Sequence, residues 1–197
     1  MPPSSGRTSL VGFLAANFIK ELEDSFDKQQ RVDPERLREF FWDMFIVDAY
    51  LGNFDRHNGN WRFLTDINSG KWEIAPVYDC GSCLYAQADS DIKKEIMTSD
   101  EALRIRIYQR PLSALSYEGR KVGYAEFLAS GVNTSCTWAL IRMREKINSN
   151  SERIVTLIND TPLSSIDHDF YLFILKKRKE LILDAAVQSL ERKGMLD

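Results

Sequence analysis

The sequence predicts a mainly helical fold with one small β-hairpin. Three observations predict it. Apolar residues recur at three- and four-residue steps through much of the chain, the mark of helices with a buried stripe. Helix punctuation is explicit, with Asp33-Pro34-Glu35 before an apolar run and Gly52 after it. Only residues 61–75 read as short strands around a cluster of turn formers.

The elements follow in chain order. From Ser9, the residues Val11, Leu14, Phe18, Leu22 and Phe26 keep helical spacing, and the pattern lapses into a polar connection over 27–32. A second helix opens with Asp33 as N-cap, Pro34 at the first helical position and Glu35 in the first turn. It carries Leu37, Phe40, Phe41, Met44, Phe45 and Leu51, and Gly52 is placed to end it. So broad an apolar surface predicts deep burial. Strands are expected over 61–64 and 72–75, joined by Thr65-Asp66-Ile67-Asn68-Ser69-Gly70-Lys71, with Pro76 ending the pairing. Short helices at 100–106 and 124–129 flank a loop at 111–121. Further helices are expected at 134–147, 151–158 and 167–192, the last closed by Gly194. The four tryptophans and eleven phenylalanines read as core, and no internal repeat or low-complexity segment is present.

Composition bounds the function. A chain of 197 residues, 44% hydrophobic and 28% charged, is ordinary for one soluble globular domain. A net charge of −3 supplies no positive field, so direct nucleic-acid binding is not expected. Met1 to Arg7 lacks the apolar core of a signal peptide, and no apolar run approaches the roughly 18 residues of a membrane span. Cys80, Cys83 and Cys136 are too few for a disulfide scaffold, so a reducing cytoplasm is the expected location.

The chemistry concentrates in Leu51-Gly52-Asn53-Phe54-Asp55-Arg56-His57-Asn58-Gly59-Asn60-Trp61, followed beyond the hairpin by Pro76-Val77-Tyr78-Asp79-Cys80-Gly81. Phosphoryl transfer needs a carboxylate to orient the attacking hydroxyl and hard oxygen ligands for magnesium. Asp55 and Asn60, with four residues between them, have the spacing of a kinase catalytic loop, and Asp79 with Gly81 supplies the later Asp-x-Gly. The hairpin is expected to return Asp79 to face Asn60, with Gly81 allowing a sharp turn after it. A plain polar turn is the competing reading, because Asn, Asp and Gly are the commonest turn residues. The succession of helix, loop, hairpin and Asp-x-Gly argues against it.

Asp55-Arg56-His57-x-x-Asn60 resembles the catalytic loop shared by HipA-like kinases and the phosphoinositide kinases. The lead-in from Asn53 and the ending Pro76-Val77-Tyr78-Asp79 are more similar to the HipA-like group with its CtkA-type bacterial relatives. The motif match runs from about Phe45 to Gly81; beyond it the likeness is one of layout. The resemblance implies a protein-kinase-like carboxyl-terminal lobe, the HipA-like carboxyl-terminal domain, over 1–197. Its parts would be a hinge remnant at 1–8, two helices at 9–52, the catalytic loop at 53–60, the hairpin at 61–75, the metal segment at 76–83 and a helical subdomain at 84–197.

It further implies an ATP- and Mg2+-dependent serine/threonine kinase. Asp55 would orient the hydroxyl, and Asn60 and Asp79 would bind magnesium and, through it, nucleotide. Arg56 and His57 would hold the loop or contact phosphate. A protein is the implied substrate. Some relatives are toxins of toxin–antitoxin pairs, which makes an antitoxin a candidate partner. A non-catalytic single-lobe binding module and a phosphoinositide-type lipid kinase are the alternatives.

No Gly-rich phosphate loop and no strand lysine with a helical glutamate partner is legible. The expectation is therefore a chain beginning near the hinge, with an amino-terminal lobe as partner and weak activity alone. Cys80-Gly81-Ser82-Cys83 has thiol-oxidoreductase or zinc-knuckle spacing, but no βαβ frame and no second cysteine pair accompanies it. Neither function is expected of it. Lys176-Lys177-Arg178-Lys179 is read as a solvated helix face, and His168 as structural.

Overall fold

The computed structural model describes residues 19–110 and 112–196. The expected helical positions Val11, Leu14 and Phe18 and the 1–8 segment lie outside the described residues. Helix α1, Ile19–Lys28, buries Leu22 and Phe26. Helix α2, Pro34–Leu51, begins where the Asp33 side chain accepts the Arg36 amide. It ends where Gly52 turns left-handed at φ 72 and donates its N–H to the Asp48 carbonyl. This helix is the axis of the core, with Leu37, Phe41, Trp42, Phe45, Ile46 and Ala49 all buried. Phe41 lies between Phe26 at 5.5 Å, Trp42 at 5.1 Å and Trp61 at 5.9 Å between ring centroids. Tilted and edge-on pairs of this kind contribute about 0.5–1.5 kcal/mol each beyond area burial.

Strands β1, Phe63–Thr65, and β2, Trp72–Ile74, pair antiparallel with Phe63 opposite Ile74. The turn between them is held by Asp66 Oδ1, which accepts the amides of Asn68 and Ser69 at 2.8 and 3.0 Å. Beyond the hairpin come α3, Ser90–Thr98, and α4, Asp100–Arg104, which runs on as a π turn over Ile105–Gln109. A second, minimal hairpin follows where a loop was expected, β3 Ser116–Tyr117 with β4 Arg120–Lys121. Next are α5 Tyr124–Ser130, α6 Thr134–Ser149 and α7 Ser151–Asp160. The final run is α8 Ser165–Arg178, a π segment Lys179–Asp184 and α9 Ala185–Arg192, closed by Gly194 at φ 65. Helices α6 and α8 pack on α2, α9 on α5, and α3 on α8.

Four expectations are corrected. The span 167–192 is not one regular helix, because the π segment interrupts it and places Asp184 between Arg144 and Lys179. Helix α3 was not anticipated; its buried Lys93 pairs with Asp167 at 2.5 Å and blurs the apolar period. Trp138 and Phe54 are not core, being 59% and 49% exposed. The basic run is not wholly solvated either. Arg178, one turn from the buried Ile174 and Leu175, falls on the inward stripe and is itself fully buried. No helix among the described residues is long and apolar enough to cross a membrane.

Candidate active site

The site is built on a carboxylate inside the core. Asp48, in the last turns of α2, is 2% exposed amid apolar neighbours. Because Gly52 stops the helix, Asn53 drops back beside it and donates Nδ2–H to Asp48 Oδ1 at 2.8 Å. The chain then turns so that Arg56 also points inward. Its Nε and Nη2 donate to Asp48 Oδ2 and Oδ1 at 2.9 and 3.1 Å, a two-point pairing. Its Nη1 donates to the Asn60 carbonyl at 3.1 Å and the Tyr78 carbonyl at 2.6 Å, and Nη2 also reaches Cys80 Sγ at 3.5 Å. One guanidinium thus ties together the end of α2, the end of the loop and the residue before Asp79.

The electrostatics follow from burial. Burial works against the Arg56 charge, but the hydrogen bonds and charge of Asp48 outweigh it and hold its pKa above the ordinary value. Burial also pushes the Asp48 carboxyl upward, opposed by Arg56 and Asn53. The pair is charged, and each member depends on the other: an unpaired ion at this depth costs several kcal/mol.

Asp55 sits on the outer side of this frame with its side chain 56% exposed. Its backbone is pinned on both sides, its amide donating to Asn53 Oδ1 at 3.1 Å and its carbonyl accepting Asn60 Nδ2–H at 2.6 Å. Asn60 is buried, with its amide nitrogen donating to the Asp55 carbonyl, so the oxygen is the end that could serve a cation. His57 Nδ1 accepts the Gly59 amide at 3.0 Å and caps the turn Asn58–Asn60. The neutral ring therefore carries its proton on Nε2, 3.9 Å from Asp55 Oδ1. A Cβ at Gly59 would lie 2.8 Å from His57 Cε1, so the cap requires glycine there.

Asp79 is exposed and left-handed at φ 57. Tyr78 holds it in place twice over: its carbonyl accepts from Arg56, and its hydroxyl donates to the Gly59 carbonyl at 2.6 Å. The Asn60 and Tyr78 carbonyls converge on one nitrogen, so the loop end and the Asp79 segment are brought together. The expected role of Gly81 is corrected. It has no left-handed φ, and a Cβ there would meet nothing within 4 Å; the sharp turn is made by Asp79 itself. Asp tolerates that conformation better than most residues, at some cost in strain.

Sequence reasoning passed over Asp48 and Tyr124 and gave Asn53, Tyr78 and Ser82 no structural role, yet these five make the frame. Ser82 Oγ donates to Asn53 Oδ1, and Tyr124 OH donates to the Asn53 carbonyl at 2.6 Å. Asp48 carried one signal, a lone carboxylate within the apolar run from Met44 to Leu51. Tyr124, 71 residues from Asn53, carried none.

The donor set suits a magnesium–nucleotide complex. Asp79 offers a carboxylate and Asn60 an amide oxygen, while no cluster of three or more His, Cys, Asp or Glu side chains forms among the described residues. Magnesium commonly takes one or two protein ligands and completes its shell with phosphate oxygens and water.

Fold and site together define a protein-kinase-like carboxyl-terminal lobe: a mostly helical body, an Asp-x-x-x-x-Asn loop after a buried helix, a short hairpin and a returning Asp. The chain belongs to the CtkA-like family of bacterial serine/threonine kinases. It is 41% identical over 192 residues to the serine/threonine-protein kinase CtkA of Helicobacter pylori strain J99. That alignment takes in 90% of this chain and 58% of the relative, so the chain spans somewhat more than half the relative's length. It also matches the crystal structure of a Helicobacter pylori proinflammatory kinase CtkA with a TM-score of 0.88 at 37% identity. The match covers 95% of this chain and 73% of that one. No family model matches the chain.

Proposed function

We propose that the chain is the catalytic lobe of an ATP- and Mg2+-dependent serine/threonine protein kinase that transfers the γ-phosphate to a hydroxyl of a protein substrate. The observation that supports this reading is the convergence of the Asn60 and Tyr78 carbonyls on Arg56, which draws the end of the loop and the segment leading to Asp79 together while Asp55 faces solvent. Asn60 and Asp79 would hold the magnesium, which neutralises phosphate charge when bound. Asp55 accepts a hydrogen bond from the substrate hydroxyl and orients it. His57, capping the loop through Nδ1, keeps the loop in shape and leaves the Asp55 carboxylate free. Arg56 supports all three through backbone and carboxylate contacts, with its guanidinium turned to the core. The reading extends to cytoplasmic action and, on the HipA-like motif alone, to an antitoxin partner, which co-purification from the native host would reveal.

Two substitutions separate the roles. Asp55→Asn is expected to leave the fold and nucleotide binding intact and to lower transfer about 10²- to 10⁴-fold, the usual contribution of a positioned acid or base. Asp79→Asn is expected to weaken nucleotide binding only when magnesium is present, because it removes a charged ligand. A phosphorylation assay and calorimetry with and without magnesium read the two effects. Undiminished transfer in Asp55→Asn, or an unchanged magnesium dependence in Asp79→Asn, sinks the respective assignment. The second reading, a lobe that binds nucleotide or partner without transfer, is favoured by the absence of a legible Gly-rich loop. Magnesium-dependent nucleotide binding without any phosphorylation would establish it.

A further inference from the structure

We propose that Cys80 and Cys83 are a peroxide-sensitive thiol pair whose closure into a disulfide loosens the Asp79 segment from the loop that carries Asp55. The backbone holds the two cysteines close. The Cys83 amide donates to the Cys80 carbonyl at 3.0 Å, closing a tight turn. A turn of this kind holds its end Cα atoms within about 7 Å, which overlaps the roughly 4.4–6.8 Å that a disulfide spans. Access differs as such chemistry needs, since Cys80 is exposed and Cys83 is buried.

The turn hangs on the catalytic frame at two points. Cys80 Sγ accepts from Arg56 Nη2 at 3.5 Å, and Ser82 Oγ, between the cysteines, donates to Asn53 Oδ1. On either side the backbone is strained: Asp79, Leu84 and Tyr85 all have positive φ, at 57, 56 and 52. Strain of this kind persists only while its surroundings hold it. Swinging Cys80 Sγ onto Cys83 breaks the contact to Arg56 and shifts the turn that carries Ser82.

The reaction balances with hydrogen peroxide as oxidant. The Cys80 sulfur bonds to one peroxide oxygen as the O–O bond breaks, and the departing hydroxide takes the thiol proton as water. The Cys83 sulfur then attacks the Cys80 sulfenic acid, the S–S bond forming as the S–O bond breaks, and a second water carries off the Cys83 proton. Two electrons pass from the thiols to peroxide. No βαβ frame forms among the described residues, so the pair is a reversible modification site restored by dithiothreitol, not a thioredoxin-like catalyst.

The disulfide stands independently of the kinase reading, and only its effect on nucleotide binding rests on that reading. The test oxidises the reduced full chain with hydrogen peroxide, maps its peptides by mass spectrometry, and follows hydrogen exchange and Mg·ATP binding. A linked Cys80–Cys83 peptide lighter by two hydrogens is expected. Exchange of the 79–85 amides should be faster by about tenfold or more, as a segment opens that was closed. Cys83→Ser should block the link and the faster exchange. Mg·ATP affinity should fall on oxidation and return on reduction. No linked peptide, or a linked peptide with unchanged exchange, overturns the proposal. Should the reduced chain fail to bind Mg·ATP, the kinase reading falls while mass and exchange still decide the thiol pair.

Discussion

At the scale of the residue, the informative side chain is Arg56, because it serves stability and geometry through different atoms. Its Nε and Nη2 answer the buried Asp48 charge, while Nη1 holds the carbonyls of Asn60 and Tyr78. These contributions are separable. Arg56→Met leaves the Asp48 charge in the core with the Asn53 hydrogen bond but no countercharge and is expected to cost about 3–5 kcal/mol. The double variant Arg56→Met with Asp48→Leu removes both charges and is expected to recover most of that loss. It does not restore the two carbonyl contacts, so phosphoryl transfer should stay depressed. Urea denaturation and a kinase assay on the same preparations check this. A double variant that is both stable and fully active would mean that the Nη1 contacts do not position the site.

At the scale of the element, the π segment Lys179–Asp184 is where local pattern and tertiary demand part company. Regular helical periodicity through 167–192 leaves no place for Asp184 between two cations; the π turn rotates it to meet Arg144 of α6 and Lys179 at 2.8 Å. Burial alone would raise the Asp184 carboxyl, but hydrogen bonds from Lys179 and Arg144 outweigh it and lower its pKa below 3.8. Asp167, donated to by Lys93 and Ser164, is lowered likewise. A carboxyl depressed on folding contributes stability that is complete above its unfolded value of 3.8 and is lost as pH falls through the folded value. Acid should therefore loosen the contacts of α6 with the π segment and of α3 with α8 below about pH 4. Asp184→Asn is expected to lower stability near neutrality and to flatten the acid limb of a stability–pH curve. An unaltered acid limb would show that this pairing does not carry the dependence.

At the scale of the whole molecule, the helical body and loop 53–60 are one piece. Arg178, from α8, crosses the core to donate Nε–H to the Ala49 carbonyl of α2 at 2.9 Å and reaches the Arg106 carbonyl at 3.3 Å. A Cβ at Gly52 would come within 3.3 Å of the same guanidinium. Helix α8 therefore supports the helix end from which loop 53–60 springs, and the described residues should unfold cooperatively. Their activity is a different matter. Under the proposed kinase reading, no Gly-rich loop or strand lysine is legible in the sequence to complete a cradle for the phosphates. Loss of one preorganised donor already costs about 10²–10³-fold in rate. Residues 1–197 assayed alone should transfer phosphate at least about 10²-fold more slowly than CtkA assayed in parallel. Comparable turnover would mean that another part of the chain covers the nucleotide.

Much of this was determined by sequence alone, wherever the deciding forces act between near neighbours. Asp33, Pro34 and Gly52 set the limits of α2 through backbone rules that need no partner, and Asp66 and Gly70 shape the first hairpin turn in the same way. The spacing of Asp55, Asn60 and Asp79 survives as a pattern because loop and hairpin are short. What only the tertiary structure decided depends on groups distant along the chain. The inward turn of Arg178, the π segment around Asp184 and the bond from Tyr124 to Asn53 each answer a buried or half-buried polar group whose partner lies 40 to 129 residues away. Burial makes those partners obligatory, since an unmet charge or carbonyl costs more than the local preference it overrides. No local pattern records where the partner will come from.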